Sequence, residues 1–180
     1  MKFLLLGIVA FNFLSFCWSV IGVFKTVAQR DSFQYRLLQI GSVVIWSYSL
    51  YTVWSSTESD YKLLIVFLIH IFCAISFWKH SKLVKENEFS LAFSKDQPKK
   101  LVKKLFYKRV RHPFYMIYLL SYYSIALAFM NGIGLTLCFL MNLIYFRAAR
   151  FEEAKFLRSD LATEYTDYMK ETWMFFPRIR

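Results

Sequence analysis

The feature that most constrains this chain is where its charges are absent. Four runs, 3–24, 37–54, 63–78 and 114–146, contain no Asp, Glu, Lys or Arg, although the 180 residues carry 23 basic and 12 acidic side chains. A hydrocarbon core about 30 Å thick takes roughly 17 to 25 helical residues to cross. A helix is the natural choice there, because lipid offers no partner for a free backbone N–H or C=O. The first two runs suffice, and the third reaches the length with its flanking Tyr61 and Lys79. The fourth is too long for one helix, and "NGIG" at Asn131 to Gly134 offers a turn in its middle. The expectation is an all-α, multi-pass membrane bundle of about five transmembrane segments, the last two forming a helical hairpin, followed by a cytoplasmic tail helix. A 57% hydrophobic and 21% aromatic composition, well above that of a soluble domain, agrees.

Orientation follows from the connections. Lys25 with 29–36 carries three basic residues and one acid, 55–62 carries Glu58 and Asp60 against one lysine, and 79–113 carries eleven Lys or Arg against three acids. By the positive-inside tendency the basic connections and the tail after Arg147 are cytoplasmic, and the N-terminus, the acidic connection and the "NG" turn lie outside. The membrane is then the inner or plasma membrane of a bacterium or the endoplasmic reticulum of a eukaryote. The first run reads as a retained anchor, being longer than a signal-peptide core and lacking a small-residue cleavage site after it. The long connection supplies +8 of the +11 net charge, which suits topology and attraction to anionic lipid head groups. Within it the spacing of "PKKLVKKLF" predicts a short helix lying in the interface. Nucleic acid is not an expected partner, since the basic residues sit against the bilayer and no recognition module is visible. Two regions follow, N-terminal transmembrane helices over 1–80 and a core over 81–180 built from the basic connection, the hairpin and the tail.

All five glycines fall within or between apolar runs, which excludes a glycine-rich dinucleotide loop or a P-loop on the cytoplasmic side. Cys17, Cys73 and Cys138 lie inside apolar runs and read as packed thiols rather than disulfides or metal ligands. The chemistry-bearing side chains cluster where the hairpin begins and ends. Arg111, His112, Pro113 and Tyr115 stand at its entrance, and Arg147, Arg150, Glu152 and Glu153 follow its exit, so the topology alone brings them to one membrane depth. Pro113 lacks an N–H and disfavours helix at His112, so a new helix starts there with His112 turned inward. In the tail, Tyr165 and Tyr168 share a helix face, and "WMFFP" returns to the interface or caps the site. His70 reads as a neutral histidine bonded to a neighbouring helix, and Asn12 as packing. Asn142, less than two turns before Arg147, either bonds between helices or lines a substrate channel.

"RVRHPFY", followed after forty positions by "FEEAKFL" and then by "EYTDYMKETWMFFPR", resembles the isoprenylcysteine carboxyl methyltransferase and phospholipid methyltransferase superfamily over about Lys104 to Arg178. The family pattern is an R-H-P-x-Y entrance, two glutamates after a helical hairpin, and an E-Y-x-x-Y segment ending near a proline. The resemblance implies S-adenosyl-L-methionine-dependent methyl transfer at the cytoplasmic membrane face. It implies cofactor contacts from Arg111, His112, Pro113, Tyr115, Glu152, Glu153, Tyr165 and Tyr168, and a membrane lipid or a prenylated or amphipathic substrate. Arg147 or Arg150 would position a carboxylate acceptor; Glu152, Glu153, His112 or Tyr165 would take the proton from an amine acceptor. Three family glycines are replaced by Leu105, Ile117 and Ala162, larger residues expected to narrow the cofactor cleft or change its rim. A nicotinamide-dependent membrane reductase and a catalytically silent homologue acting through membrane interactions remain as alternatives.

Overall fold

The computed structural model describes residues 1–24, 32–90 and 92–177. They form six α-helices: α1 (Lys2–Gly22), α2 (Ser32–Ser55), α3 (Asp60–Glu86), α4 (Pro113–Ala128), α5 (Gly132–Leu157) and α6 (Ala162–Glu171), with a short 3-10 turn at Leu105–Lys108. Four of these helices, α1, α2, α3 and α5, are long and apolar enough to cross a membrane. The fifth segment, α4, has 16 residues, or about 24 Å at about 1.5 Å per residue, short of the hydrocarbon thickness. It sits in the middle of the bundle, packed against α2, α3 and α5. Ten of its residues are buried, so neighbouring helices rather than lipid surround most of it.

The hairpin forms, but its turn runs over Phe129, Met130 and Asn131 instead of Asn131 to Gly134, because Gly132 already begins α5. Asn131 closes the turn and caps α5: its Oδ1 accepts from Gly134 N at 3.0 Å and from the Tyr48 hydroxyl at 2.9 Å. Chain direction alternates through the bundle. Lys2 Nζ donates to Ser56 O at 2.9 Å at one end, whereas residues from α3, α4, α5 and α6 surround one cavity at the other. Large apolar side chains face outward along the long helices, including Ile21, Ile40, Leu68 and Phe139. In water these would form an apolar patch far beyond what a soluble monomer exposes; against lipid they are unremarkable.

Two expectations are corrected. The "PKKLVKKLF" stretch is no interfacial helix: residues 95–104 have no regular secondary structure, and only Leu105–Lys108 turns. Val102 and Tyr107 instead pack on Leu83, and Phe106 N donates to His80 Nε2 at 3.1 Å. His80 Nδ1, which carries the proton by that assignment, donates to Ser76 O at 2.7 Å, so α3 clamps the connection. The glutamate pair also lies on the last turns of α5 itself rather than beyond the hairpin, because that helix runs unbroken to Leu157. Part of the Lys25 to Arg36 connection, and Arg178 at the end of the resemblance, lie outside the described residues.

Candidate active site

The polar corner is built by three segments that meet at one end of the bundle. Pro113 occupies the first turn of α4, leaving His112 as its N-cap with φ −125° and ψ 69°. The tail after α6 lies alongside the residues before it: Arg111 N donates to Trp173 O at 2.8 Å and His112 N to Met174 O at 3.1 Å. Tyr168 pins the same stretch from α6, its hydroxyl donating to Tyr107 O at 2.6 Å. The "WMFFP" segment therefore caps the site, with Phe175 buried edge-on to His112 and Tyr115.

His112 lies between the two glutamates of α5. Its Nδ1 is 3.4 Å from Glu152 Oε2 and its Nε2 is 3.4 Å from Glu153 Oε1. Burial opposes the imidazolium, but the two carboxylates outweigh it and raise the His112 pKa above its ordinary value. The glutamates differ in surroundings. Glu153 is 3% exposed and takes Arg111 Nε at 2.7 Å; its other oxygen, Oε2, has no hydrogen-bond partner among the described residues. Glu152 is 29% exposed, accepts from the Tyr115 hydroxyl and lines the cavity. Tyr115 in turn stacks on Tyr145, ring centroids 4.9 Å apart.

The corner opens into a cavity of about 840 Å³, within the roughly 300–1,000 Å³ of cofactor and ligand sites. Its polar end is walled by Arg111, His112, Tyr115, Glu152 and Tyr165, and by residues of the connection after α3. Its other end runs between α1, α2, α4 and α5, where Phe16, Val20, Leu38, Trp46 and Tyr122 form the walls.

Of the residues singled out from sequence, Arg111, His112, Pro113, Tyr115, Glu152, Tyr165 and Tyr168 line this cavity, and Glu153 stands directly behind them. Arg147 and Arg150 are exposed on the other side of α5 and do not reach it. Asn142 also stays outside the cavity and faces the Tyr123 hydroxyl across the hairpin. Burial raises the Tyr165 pKa well above its ordinary value, so the phenol is a hydrogen-bond donor and a ring face rather than a base. Neither Leu105, Ile117 nor Ala162 lines the cavity, so the cleft is not narrowed at those positions. Ile117 is fully buried in the bundle, while Leu105 is exposed.

Sequence reasoning missed the other wall. Asp96 accepts from Ser90 and Ser94 and pairs with Lys155 Nζ at 3.3 Å. Burial works to raise its pKa, and those partners outweigh it and hold the carboxyl below its ordinary range. This fastens the irregular connection to α5 across the cavity mouth. The available signal was Lys155 itself, three residues after Glu152 and so on the same helix face.

His70 behaves as read: buried, with Nδ1 3.0 Å from Asn12 Nδ2 of α1. Asn12 is more than packing, since the same amide also donates to His70 O at 3.0 Å. All three cysteines are free.

A family model described as phospholipid methyltransferase matches residues 61–164, more than half of the chain. The match takes in α3, the R-H-P-x-Y corner and both glutamates, and it leaves out α1 and α2. No curated protein and no solved structure matches the chain.

Proposed function

The chain belongs to the phospholipid methyltransferase family, and on that premise we propose that it is an integral membrane, S-adenosylmethionine-dependent methyltransferase acting on a lipid amine at the cytoplasmic face. One observation carries the reading: a single cavity joins a cluster of charged and aromatic side chains to an apolar space inside the bundle. A charged cofactor and an amphiphile can meet there with little water between them.

The residues present fit the cofactor. The Glu152 carboxylate suits its ammonium group, the Lys155 ammonium suits its carboxylate, and the rings of Phe89 and Tyr165 offer faces for the adenine. When bound, S-adenosylmethionine supplies an electrophilic methyl group on a sulfonium. The chain's own contribution is alignment, bringing reacting atoms to about 3–3.5 Å, and proton handling. An amine acceptor must shed a proton before it attacks; Glu152 Oε2, beside His112 Nδ1, is the group placed to accept it. Arg147 and Arg150 face outward and so would not position an acceptor in the cavity, which Arg111 and Lys155 line instead; the amine is preferred because the matched family model is described as phospholipid methyltransferase. The lysines and arginines around the connection support attraction of anionic head groups to the same face.

The test is titration calorimetry of the detergent-purified protein with S-adenosylhomocysteine and, separately, NADPH, followed by transfer of labelled methyl into membrane lipids. Binding of S-adenosylhomocysteine that is lost in His112→Ala, with label entering an amine lipid, is the expected result. Binding of NADPH alone, or of neither by the folded protein, overturns it.

A further inference from the structure

The apolar end of the cavity has a floor. The deepest lining residues are Phe13 on α1, Trp46 on α2, Tyr122 on α4 and Tyr145 on α5, and they close on one another. Phe13 stacks on Trp46 with centroids 5.8 Å apart, Trp46 meets Tyr122 edge-on at 5.3 Å, and the hydroxyls of Tyr122 and Tyr145 are 3.3 Å apart. Beneath Trp46 the core is solid. His70 packs edge-on at 6.2 Å, held by Asn12, and Leu5, Val9 and Val53 are fully buried without touching the cavity.

The depth can be read along the helices. His112 to Tyr122 spans ten positions, and Tyr35 to Trp46 and Tyr145 to Phe156 each span eleven. At about 1.5 Å per residue these give about 15–17 Å. The floor therefore lies near the middle of a hydrocarbon core about 30 Å thick. An extended hydrocarbon advances about 1.3 Å per methylene, from carbon–carbon bonds of about 1.5 Å. A chain running from the polar corner to the floor thus has room for roughly a dozen carbons.

Resting on the methyltransferase reading, we propose that this space is a measuring pocket for one hydrocarbon chain of the acceptor, with Trp46 as the residue that sets its length. The acceptor enters with its polar end at Glu152 and His112, and one chain lies between α1 and α2 with its tip on the Trp46 ring. Longer chains bend back before the head is in register. The walls of the pocket come largely from α1 and α2, outside the matched range 61–164, so chain selection is a property of this chain's own N-terminal helices.

Two measurements test this on the full-length protein. The first is tryptophan fluorescence with single-chain phosphoethanolamine amphiphiles of twelve carbons, brominated at the chain tip or near the head, on native protein and Trp46→Phe. The expected result is a component quenched by tip bromine, much less by head-side bromine, and absent in Trp46→Phe; equal quenching by both, or no change in Trp46→Phe, overturns the proposal. The second is methyl transfer to a series of such amphiphiles from eight to eighteen carbons. The native rate should fall at least fivefold beyond about twelve carbons, and Trp46→Leu should move that limit by two to four carbons. A flat length profile, or a limit that Trp46→Leu does not move, overturns the proposal. If Trp46→Leu does not fold, Phe13→Leu tests the same floor. If no amine lipid is methylated at any length, the methyltransferase reading fails, and the quenching experiment still decides whether the floor seats a chain tip.

Discussion

Replacing each glutamate of α5 by glutamine should separate two roles held by adjacent residues. Glu153 is 3% exposed and its partner Arg111 is 10% exposed, with 2.7 Å between Nε and Oε1. Glutamine keeps an acceptor oxygen but leaves a buried guanidinium without its counter-charge, and His112 with only one of its two flanking carboxylates. Breaking a buried pair from one side costs about 3–5 kcal/mol, which for a chain of this size lowers the melting temperature by roughly 6–20 °C. Glu152 is partly solvated, and its contact with the Tyr115 hydroxyl survives as a bond to the amide oxygen, so Glu152→Gln should cost less than about 1 kcal/mol. Its loss appears elsewhere. A charge-assisted hydrogen bond to the cofactor ammonium is worth about 1.5–3 kcal/mol, so S-adenosylhomocysteine should bind roughly 10- to 100-fold more weakly. Thermal unfolding in detergent and titration calorimetry read the two effects independently. The double variant Arg111→Gln with Glu153→Gln should be less destabilised than the sum of its parts, because it removes both charges. Equal melting losses for the two single variants, or a Glu153→Gln protein that melts like the native one, would refute this division of labour.

His112 has a raised pKa, so the stability it contributes as an imidazolium is complete below the ordinary histidine value of about 6.5 and is lost as pH rises through the raised one. The melting-temperature gap between native protein and His112→Gln should therefore be widest near pH 6 and shrink at alkaline pH. Asp96→Asn removes the counter-charge of Lys155 at the cavity mouth, and proteolysis within residues 92–104 should be at least several-fold faster than in native protein, with the melting temperature lowered by only a few degrees. Leu105 holds φ at 54°, a left-handed conformation that costs a non-glycine residue about 1–2 kcal/mol; Leu105→Gly should melt higher than Leu105→Ala, the reverse of the order at an ordinary loop position. Arg147→Gln and Arg150→Gln, both on the outer side of α5, should leave S-adenosylhomocysteine affinity within twofold of native.

The hairpin was legible because two properties coincide in the fourth run, absence of charge over a length unsuitable for one helix and an Asn-Gly pair at its centre. The end of α5 was less legible. Residues from Arg147 onward carry enough charge to read as a solvated tail, yet the buried positions Met141, Tyr145, Ala148, Ala149 and Glu153 continue one helical stripe without interruption. That stripe fixes the phase, and the same periodicity that turns Glu152, Glu153 and Lys155 towards the bundle end turns Arg147 and Arg150 away. Attending to charge as a candidate for chemistry, without the phase, placed two arginines at the site and overlooked the lysine. The connection after α3 was misread for a related reason. Its lysines recur at helical spacing, but the connection buries Val102 and Tyr107 against Leu83 of α3 instead of lying flat on a membrane.

The three missing glycines show how one sequence pattern can stand for unrelated physical demands. A glycine in a cofactor-binding segment invites the explanation of close backbone approach, and under that explanation Leu105, Ile117 and Ala162 would all obstruct the same cleft. Leu105 instead answers to backbone conformation, since its positive φ is what glycine would adopt without strain. Ile117 answers to helix packing: it is fully buried in α4, and the Cys73 thiol of α3 approaches its carbonyl at 3.8 Å. Ala162 begins α6, where a small side chain is as compatible as none. None of the three substitutions touches the cavity, so the site can retain its shape while the framework around it departs from the family pattern. The converse holds at the other end of the pocket, where α1 and α2 lie outside the matched family range yet supply much of the wall against which an acceptor would lie. On the proposed reading, transfer chemistry and acceptor choice would be carried by different parts of the chain, so that each could change without dismantling the other.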